Sequence, residues 1–239
     1  MSPDMTPSSE VSGDEREALE VTVTAPIASF RDPLYSAVAV TLPCPAPATV
    51  GGLLAAVAGG WDDVDPQLRF GMAFTAQAAG IDLETHWPLE IRGTFGQPVP
   101  REHHFLAFTE LTIWITEDVV GWERRFRRPV WPLRLGRSQD LATARARRVR
   151  LHRGTGVVGG ALLPAKAGRG GTLLQLPTAI SRDRSRTRWD TYRHRLSVAA
   201  SGRPAPQALS DALVEGWVTQ EGRAVHLLAP THPMQAEAV

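Results

Sequence analysis

Residues 21–60, VTVTAPIASFRDPLYSAVAVTLPCPAPATVGGLLAAVAGG, decide how this chain is read. Together with the residues just before it, the stretch opens on Leu19-Glu20-Val21-Thr22-Val23-Thr24, in which Leu19, Val21 and Val23 share one face. A period of two is the mark of a half-buried strand. A long connection follows, and the prolines of Pro43-Cys44-Pro45-Ala46-Pro47 keep it out of a helix. Thr49 then offers its hydroxyl to the free N–H groups of a helix start. Val50, Leu53, Leu54, Val57 and Ala58 keep the i, i+3, i+4, i+7, i+8 rhythm of one helix face, and Gly59-Gly60 stops it. Strand, loop and short buried helix make an opening βα unit. Burying Leu53 and Leu54 contributes about 1.5–3 kcal/mol each.

Two features of this unit exceed the needs of packing. Ser29-Phe30-Arg31 places an aromatic ring and a guanidinium where the strand ends. Gly51-Gly52 falls in the expected first turn of the helix, where each glycine costs about 0.8–1.0 kcal/mol relative to alanine. Bare glycines beside free N–H groups suit a close backbone neighbour or a phosphate; equally, they let helix and sheet approach each other.

Outward from this unit the chain alternates strand signals with turns. Asp62-Asp63-Val64-Asp65-Pro66 lacks the glycine and distal glutamate of a calcium loop and reads as the loop after the helix. Arg69–Thr75 and Ile81–Gly93 read as strands, residues 93–100 as a turn-rich tip, and Phe105–Thr116 as the longest strand. Two strands joined by such a tip form a hairpin that projects from the sheet, with Phe95 and Arg101 near its end. Val119–Arg128 reads as a short helix halted by Pro129 and Pro132. A loop, Leu135-Gly136-Arg137-Ser138-Gln139-Asp140-Leu141, precedes a strand around Val149-Arg150-Leu151 whose alternation sets Arg148 and Arg150 on one face. Residues 154–159, GTGVVG, match a dinucleotide fingerprint, but Pro164, Gly168, Gly170 and Gly171 forbid the helix that motif needs. After a strand at Thr172–Leu176, the loop Ser181–Arg195 interleaves Arg182, Arg184, Arg186 and Arg188 with Trp189 and Tyr192. Arginines beside aromatics suit single-stranded nucleic acid, where phosphates pair and bases stack. Trp217–Thr219 and Ala224–Leu227 close the chain as a hairpin.

Composition narrows the function. A chain of 239 residues with 43% hydrophobic content holds a real core. Its single cysteine, Cys44, excludes an internal disulfide framework and a cysteine zinc site, and fits a reducing cytoplasm. The apolar run Val50–Ala58 is too short to span a bilayer, so no membrane partner is expected. Residues 1–17 read as a flexible acidic tail, ahead of a single domain over 18–239. The formal net charge of +1 conceals an asymmetry. Residues 1–120 carry 5 Arg and 17 acids, whereas residues 121–195 carry 18 Arg, Lys166 and 4 acids. A basic middle of this density is either a solvated face or the footprint of a nucleic-acid binder, and its concentration favours the binder. Lys166 is the only lysine; the arginine preference suits phosphate and base contacts, though the Ala-, Gly- and Pro-rich composition accounts for it equally.

Three segments carry a resemblance. Ala28-Ser29-Phe30-Arg31 with the following Thr-Val-Gly-Gly-Leu-Leu-Ala-Ala, the middle segment Arg101-Glu102-His103-His104-Phe105-Leu106, and Leu135–Leu141 together resemble the Cas-five family of CRISPR-associated proteins. In the third segment Gln139 stands where that family usually has glutamate. The resemblance spans about residue 18 to about 150. It implies an α+β, RRM-like (ferredoxin-like) domain with a protruding β-hairpin thumb at about residues 91–105 and a β-rich C-terminal region, the basic half lying at about 121–195. It also implies a non-catalytic subunit of a type I Cascade effector, with length and N-terminal wording closest to the type I-B branch. Such a subunit grips the 5′ handle of the guide RNA (crRNA), touches the backbone subunit and the large subunit, and meets target DNA through the complex. On this reading Arg31, Arg134 and Arg137 pair handle phosphates with Ser138 hydrogen-bonding nearby. Arg101 and Phe95 act at the thumb, and Arg182, Arg184 and Arg186 add a less specific contact.

Other chemistries lack their residues. His103-His104 are strand neighbours that point to opposite faces, and no second metal-ligand pair exists, so neither metal nor cofactor is expected. Gly136-Arg137-Ser138 lacks the second glycine of a nucleophile elbow. One branch of the resembled family cuts precursor guide RNA without metal, using Tyr, Lys and His. Here only Tyr35, Tyr192 and Lys166 are on offer, and no lysine precedes a histidine near the hairpin. Binding without turnover is the expectation; metal-free ribonuclease and protein-only scaffold are the rivals.

Overall fold

The computed structural model describes residues 14–32, 40–89, 96–167, 170–194 and 213–237. Six elements come first: β1 (Glu15–Ala28), α1 (Pro47–Ala58), β2 (Phe70–His86), β3 (Val99–Ile115), α2 (Val119–Arg127) and β4 (Thr143–Val157). A 3₁₀ turn, Trp61–Asp63, follows α1. The later elements are β5 (Leu163–Pro164), β6 (Thr172–Ile180), β7 (Thr187–His194), β8 (Leu213–Thr219), β9 (Ala224–Val225) and α3 (Met234–Glu237). The larger sheet runs β2-β3-β1-β4-β8-β9, and a smaller one runs β5-β7-β6. Neighbouring strands are antiparallel throughout.

The alternation in β1 organises the core. Leu19, Val21 and Val23 lie opposite Ile115, Ile113 and Leu111 of β3, which in turn lie opposite Phe70, Met72 and Phe74 of β2. These nine side chains are buried on one face, under Val50, Leu53, Leu54 and Val57 of α1 and Trp122 and Phe126 of α2. The other face carries a smaller core of Ala73, Trp114 and Leu151 against Val158, Ala161, Leu163 and Val225. It forms because the chain after β4 docks on the free edge of β2, where the Phe74 N–H donates to Gly160 O at 2.8 Å and the Leu162 N–H to Met72 O at 3.0 Å. Farther along, the phase of burial inverts. On β1, Ala25 gives way to Ala28 and Phe30, and on β3, Leu111 gives way to Leu106. Phe108, with φ of 51°, sits at that inversion.

Several expectations change. The helix opens two residues before Thr49, with Ala46 at the N-cap, no side-chain cap, and Pro47 in its first turn, where a missing N–H is harmless. Gly51 therefore lies in the second turn, and a Cβ there would strike Thr231, so the glycine answers a close neighbour. The two strands expected over 69–93 are one, because β3 pairs with it without a break in register from Phe70 to His86. β1 begins at Glu15, inside the stretch assigned to the tail. The basic loop Ser181–Arg195 is half strand, since Thr187–His194 pairs with β6. Gly154 and Gly156 lie in β4 opposite β8, and among the described residues β5, not a helix, is the next element. Part of the hairpin tip, residues 90–95, lies outside the described residues, and Phe95 with it.

Candidate nucleic-acid interface

The end of β1 builds the first wall. Because burial has changed phase, Phe30 turns inward and meets Phe74 edge to face at 5.4 Å, leaving the next residue, Arg31, exposed. The Phe30 N–H donates to Thr41 Oγ1 at 2.9 Å, and Arg31 bridges Thr41, so the returning loop closes on the strand.

The loop after α2 is the second wall. Its base is closed by the Leu135 N–H to Asp140 O (2.9 Å) and the Ala142 N–H to Leu133 O (2.9 Å), and buried Leu135 anchors it. Gly136 has φ of 109°, and a Cβ on it would lie 2.6 Å from Ser29 O and 2.9 Å from Ser29 N. Only glycine satisfies both the conformation and the approach. Ser29 in turn donates from Oγ to His104 O at 2.9 Å. The three resemblance-bearing segments thus meet.

Arg137 ties them together. Its backbone N–H donates to Asp140 Oδ2 at 3.0 Å, its Nε reaches the same oxygen at 3.2 Å, and its terminal nitrogen contacts Glu84 Oε1 at 2.9 Å and His103 Nδ1 at 2.8 Å. Since a guanidinium only donates, His103 Nδ1 accepts here. Asp140 is 5% exposed, so this is a partly buried fork holding loop to hairpin. Arg101 stands opposite Glu84 in the β2–β3 register. Arg31, Arg101, Arg134 and Ser138 are all exposed, and none of them makes an ion pair among the described residues.

Arg182, Arg184 and Arg186 form a second, separate group at the β6–β7 turn. Arg182 pairs with Asp62 at 2.5 Å, and Arg186 donates to Glu237 O at 3.1 Å. Asp183 accepts from Ser181 Oγ, Ser185 Oγ and the Ser185 N–H, which together hold its carboxyl down at about 2. The expected stacking partners divide: Trp189 is 41% exposed, but Tyr192 is buried with its hydroxyl 2.8 Å from Thr178 Oγ1.

The basic strand β4 is largely neutralised by its neighbours. Arg147 is held by Glu20 (2.7 Å) and Glu221 (3.0 Å), Arg148 by Glu123 (2.7 Å), and Arg150 approaches Glu15 at 3.7 Å. Arg145 is exposed and makes no ion pair among the described residues. Among the described residues no group of three His, Cys, Asp or Glu side chains is placed to hold a metal ion, and no helix is long and apolar enough to cross a membrane.

The family description "CRISPR-associated protein (Cas_Cas5)" matches residues 18–197. The chain belongs to the Cas5 family. No curated protein matches its sequence. Its fold is similar to a chain of a "CRISPR RNA-guided surveillance complex", at TM-score 0.51 and 14% identity over 87% of this chain and 93% of that one. A CRISPR protein from Archaeoglobus fulgidus gives the same TM-score, 0.51, at 14% identity over 89% and 99% of the two chains. A chain of a Type III-B Cmr-beta complex bound to cognate target RNA matches at 0.51 and 10% identity over 82% and 86%. Within this Cas5 chain, the residues that carried the resemblance are those that Arg137 and Gly136 join.

Proposed function

We propose that this Cas5 chain is a non-catalytic subunit of a type I Cascade surveillance complex, of the I-B branch, that holds the 5′ handle of the guide RNA and caps the backbone. The observation that supports the reading is the meeting of three segments at Gly136 and Arg137, segments that carry or adjoin Arg31, Arg101 and Arg134, each exposed and without an ion pair among the described residues. Free guanidinium forks bind phosphate bidentately, and Ser138 adds a neutral donor beside them. The order β-α-β-β-α-β with strands arranged β2-β3-β1-β4 supports the reading of an RRM-like, ferredoxin-like domain. The outer β2–β3 hairpin, with Ile81, Leu83 and Trp87 exposed, serves as the thumb against kinked guide RNA and the neighbouring backbone subunit. Phe95 and Arg101 act at its tip, Arg182, Arg184 and Arg186 supply a weaker contact, and the large subunit and target DNA are met through the assembly.

The chain holds RNA and does not cut it. Purified complex carries an absorbance excess at 260 nm that RNase removes; its absence in a competent complex overturns the reading in favour of a protein-only scaffold. Precursor guide RNA incubated in EDTA stays intact, and cleavage under those conditions marks a metal-free ribonuclease instead. Arg31→Ala and Arg101→Ala each weaken handle retention, and each reduces the salt slope of binding by about 0.7, the value for one single-strand phosphate contact. Unchanged slopes remove those residues from the interface.

A further inference from the structure

A cavity of about 570 Å³ opens beside the β6–β7 turn, and no residue lining it belongs to the cluster around Arg137. Ala48 of α1, Trp61, Arg182, Arg184, Thr231 and Pro233 wall it. Four features make it an anion site with an aromatic side. First, α1 starts without a side-chain cap. Thr49 and Val50 return their N–H groups to Ala46 O (2.9 and 3.2 Å), and Pro47 has none, which leaves the Ala48 N–H without an acceptor among the described residues. Such a helix start attracts negative charge. Second, Arg184 is held in a left-handed conformation (φ 61°) by its own N–H to Ser181 O at 2.9 Å, and its guanidinium makes no ion pair among the described residues. Third, Thr231 is 5% exposed and lies against Gly51, yet its hydroxyl has no hydrogen-bond partner among the described residues. Thr231 lines the cavity, so this hydroxyl is free to donate to a ligand there. Fourth, Trp61 is fixed by its carbonyl on His232 Nε2 (3.0 Å) and by an edge-on contact with the His232 ring at 5.4 Å. Asp62 at the rim is tied up by Arg182, whose hydrogen bond holds the carboxyl below its usual range.

We propose that this cavity binds a nucleoside phosphate, with the phosphate at the start of α1 and Arg184, the Thr231 hydroxyl donating to a phosphate or ribose oxygen, and the base against Trp61. Its volume falls in the range of small-molecule sites, about 300–1,000 Å³, and exceeds what inorganic phosphate fills. The same chemistry is offered by a free nucleotide and by the phosphorylated end of an RNA. Nothing in it depends on the handle reading, because the test uses no guide.

Titration calorimetry of the full chain with AMP gives saturable binding that is tighter than inorganic phosphate or adenosine alone. Arg184→Ala, on an exposed turn, weakens AMP binding about tenfold or more, the scale of one lost charge-assisted bond. Thr231→Val, which removes the hydroxyl at nearly constant volume, weakens it by a smaller factor. A 5′-phosphorylated oligoribonucleotide that displaces AMP identifies an RNA end as the natural source, and failure to displace identifies a free nucleotide; both keep the site. Absence of saturable AMP binding, or equal affinity in Arg184→Ala, overturns it, and phosphate binding as tightly as AMP overturns the role of Trp61.

Discussion

Arg137 shows how one side chain ties distant segments of the chain together. Its fork spans Asp140, Glu84 and His103, so it holds the loop before it can hold anything else. Arg137→Ala leaves buried Asp140 with a single remaining backbone donor at Arg137 and an unpaired charge. The expected loss is about 1–3 kcal/mol, read as a lowered urea midpoint at unchanged m-value. Arg137→Lys does not restore it, because a point charge cannot reach three acceptors in a plane. Full stability in Arg137→Ala removes the residue from the role of tie. The loop itself was legible from sequence as a distinctive string, but its partners were not. Glu84 and His103 lie 53 and 34 positions away, and no local rule connects them. For the same reason the sequence groups Arg137 with Arg31 and Arg134, although only Arg137 of the three makes ion pairs among the described residues.

At the scale of elements, patterns with a period succeeded and capping rules failed. Leu19, Val21 and Val23 form the central strand, and Val50, Leu53, Leu54 and Val57 face it from α1, as their spacing demands. The start of α1 was misplaced because Thr49 has the chemistry of a cap, whereas Pro47, whose ring already has the helical φ, opens the helix earlier. The junction of the two sheets was invisible in sequence. There β7 ends on His194, which is 2% exposed beside the backbone of Phe74 and Gly160, with neither ring nitrogen hydrogen-bonded. Burial holds its imidazole down at about 4 against an ordinary value of 6.5. Between these values the unfolded chain takes up a proton that the folded chain refuses. Stability is therefore full above about pH 6.5 and falls as pH drops toward 4, by at most about 3 kcal/mol. Urea midpoints at pH 7, 5.5 and 4.5 trace this limb, and His194→Leu flattens it. An unaltered acid limb in that variant assigns the loss to other groups.

For the whole molecule, the segregation of charge along the chain is largely undone by folding. The acidic first half supplies β1 and the basic middle supplies β4, and the two pair side by side, so Glu15, Glu17 and Glu20 face Arg150, Arg148 and Arg147. A count of arginines over 121–195 therefore overstates what is available to RNA, since a guanidinium already held by a carboxylate releases few counterions on binding. If four of the exposed arginines that make no ion pair among the described residues, Arg31, Arg101, Arg134 and Arg145, make the phosphate contacts, the plot of log affinity against log salt has a slope of about −3. Engagement of all 18 arginines of the basic middle would make it steeper than about −10. Guide-handle binding by the full chain between about 50 and 300 mM salt, about a sixfold range, separates the two. Variants sharpen the test. Arg148→Ala breaks the 2.7 Å contact with Glu123 and lowers the unfolding midpoint, yet leaves the slope unchanged. Arg31→Ala does the reverse. A slope that shifts equally in both variants means that β4 contacts RNA directly and that its ion pairs open on binding.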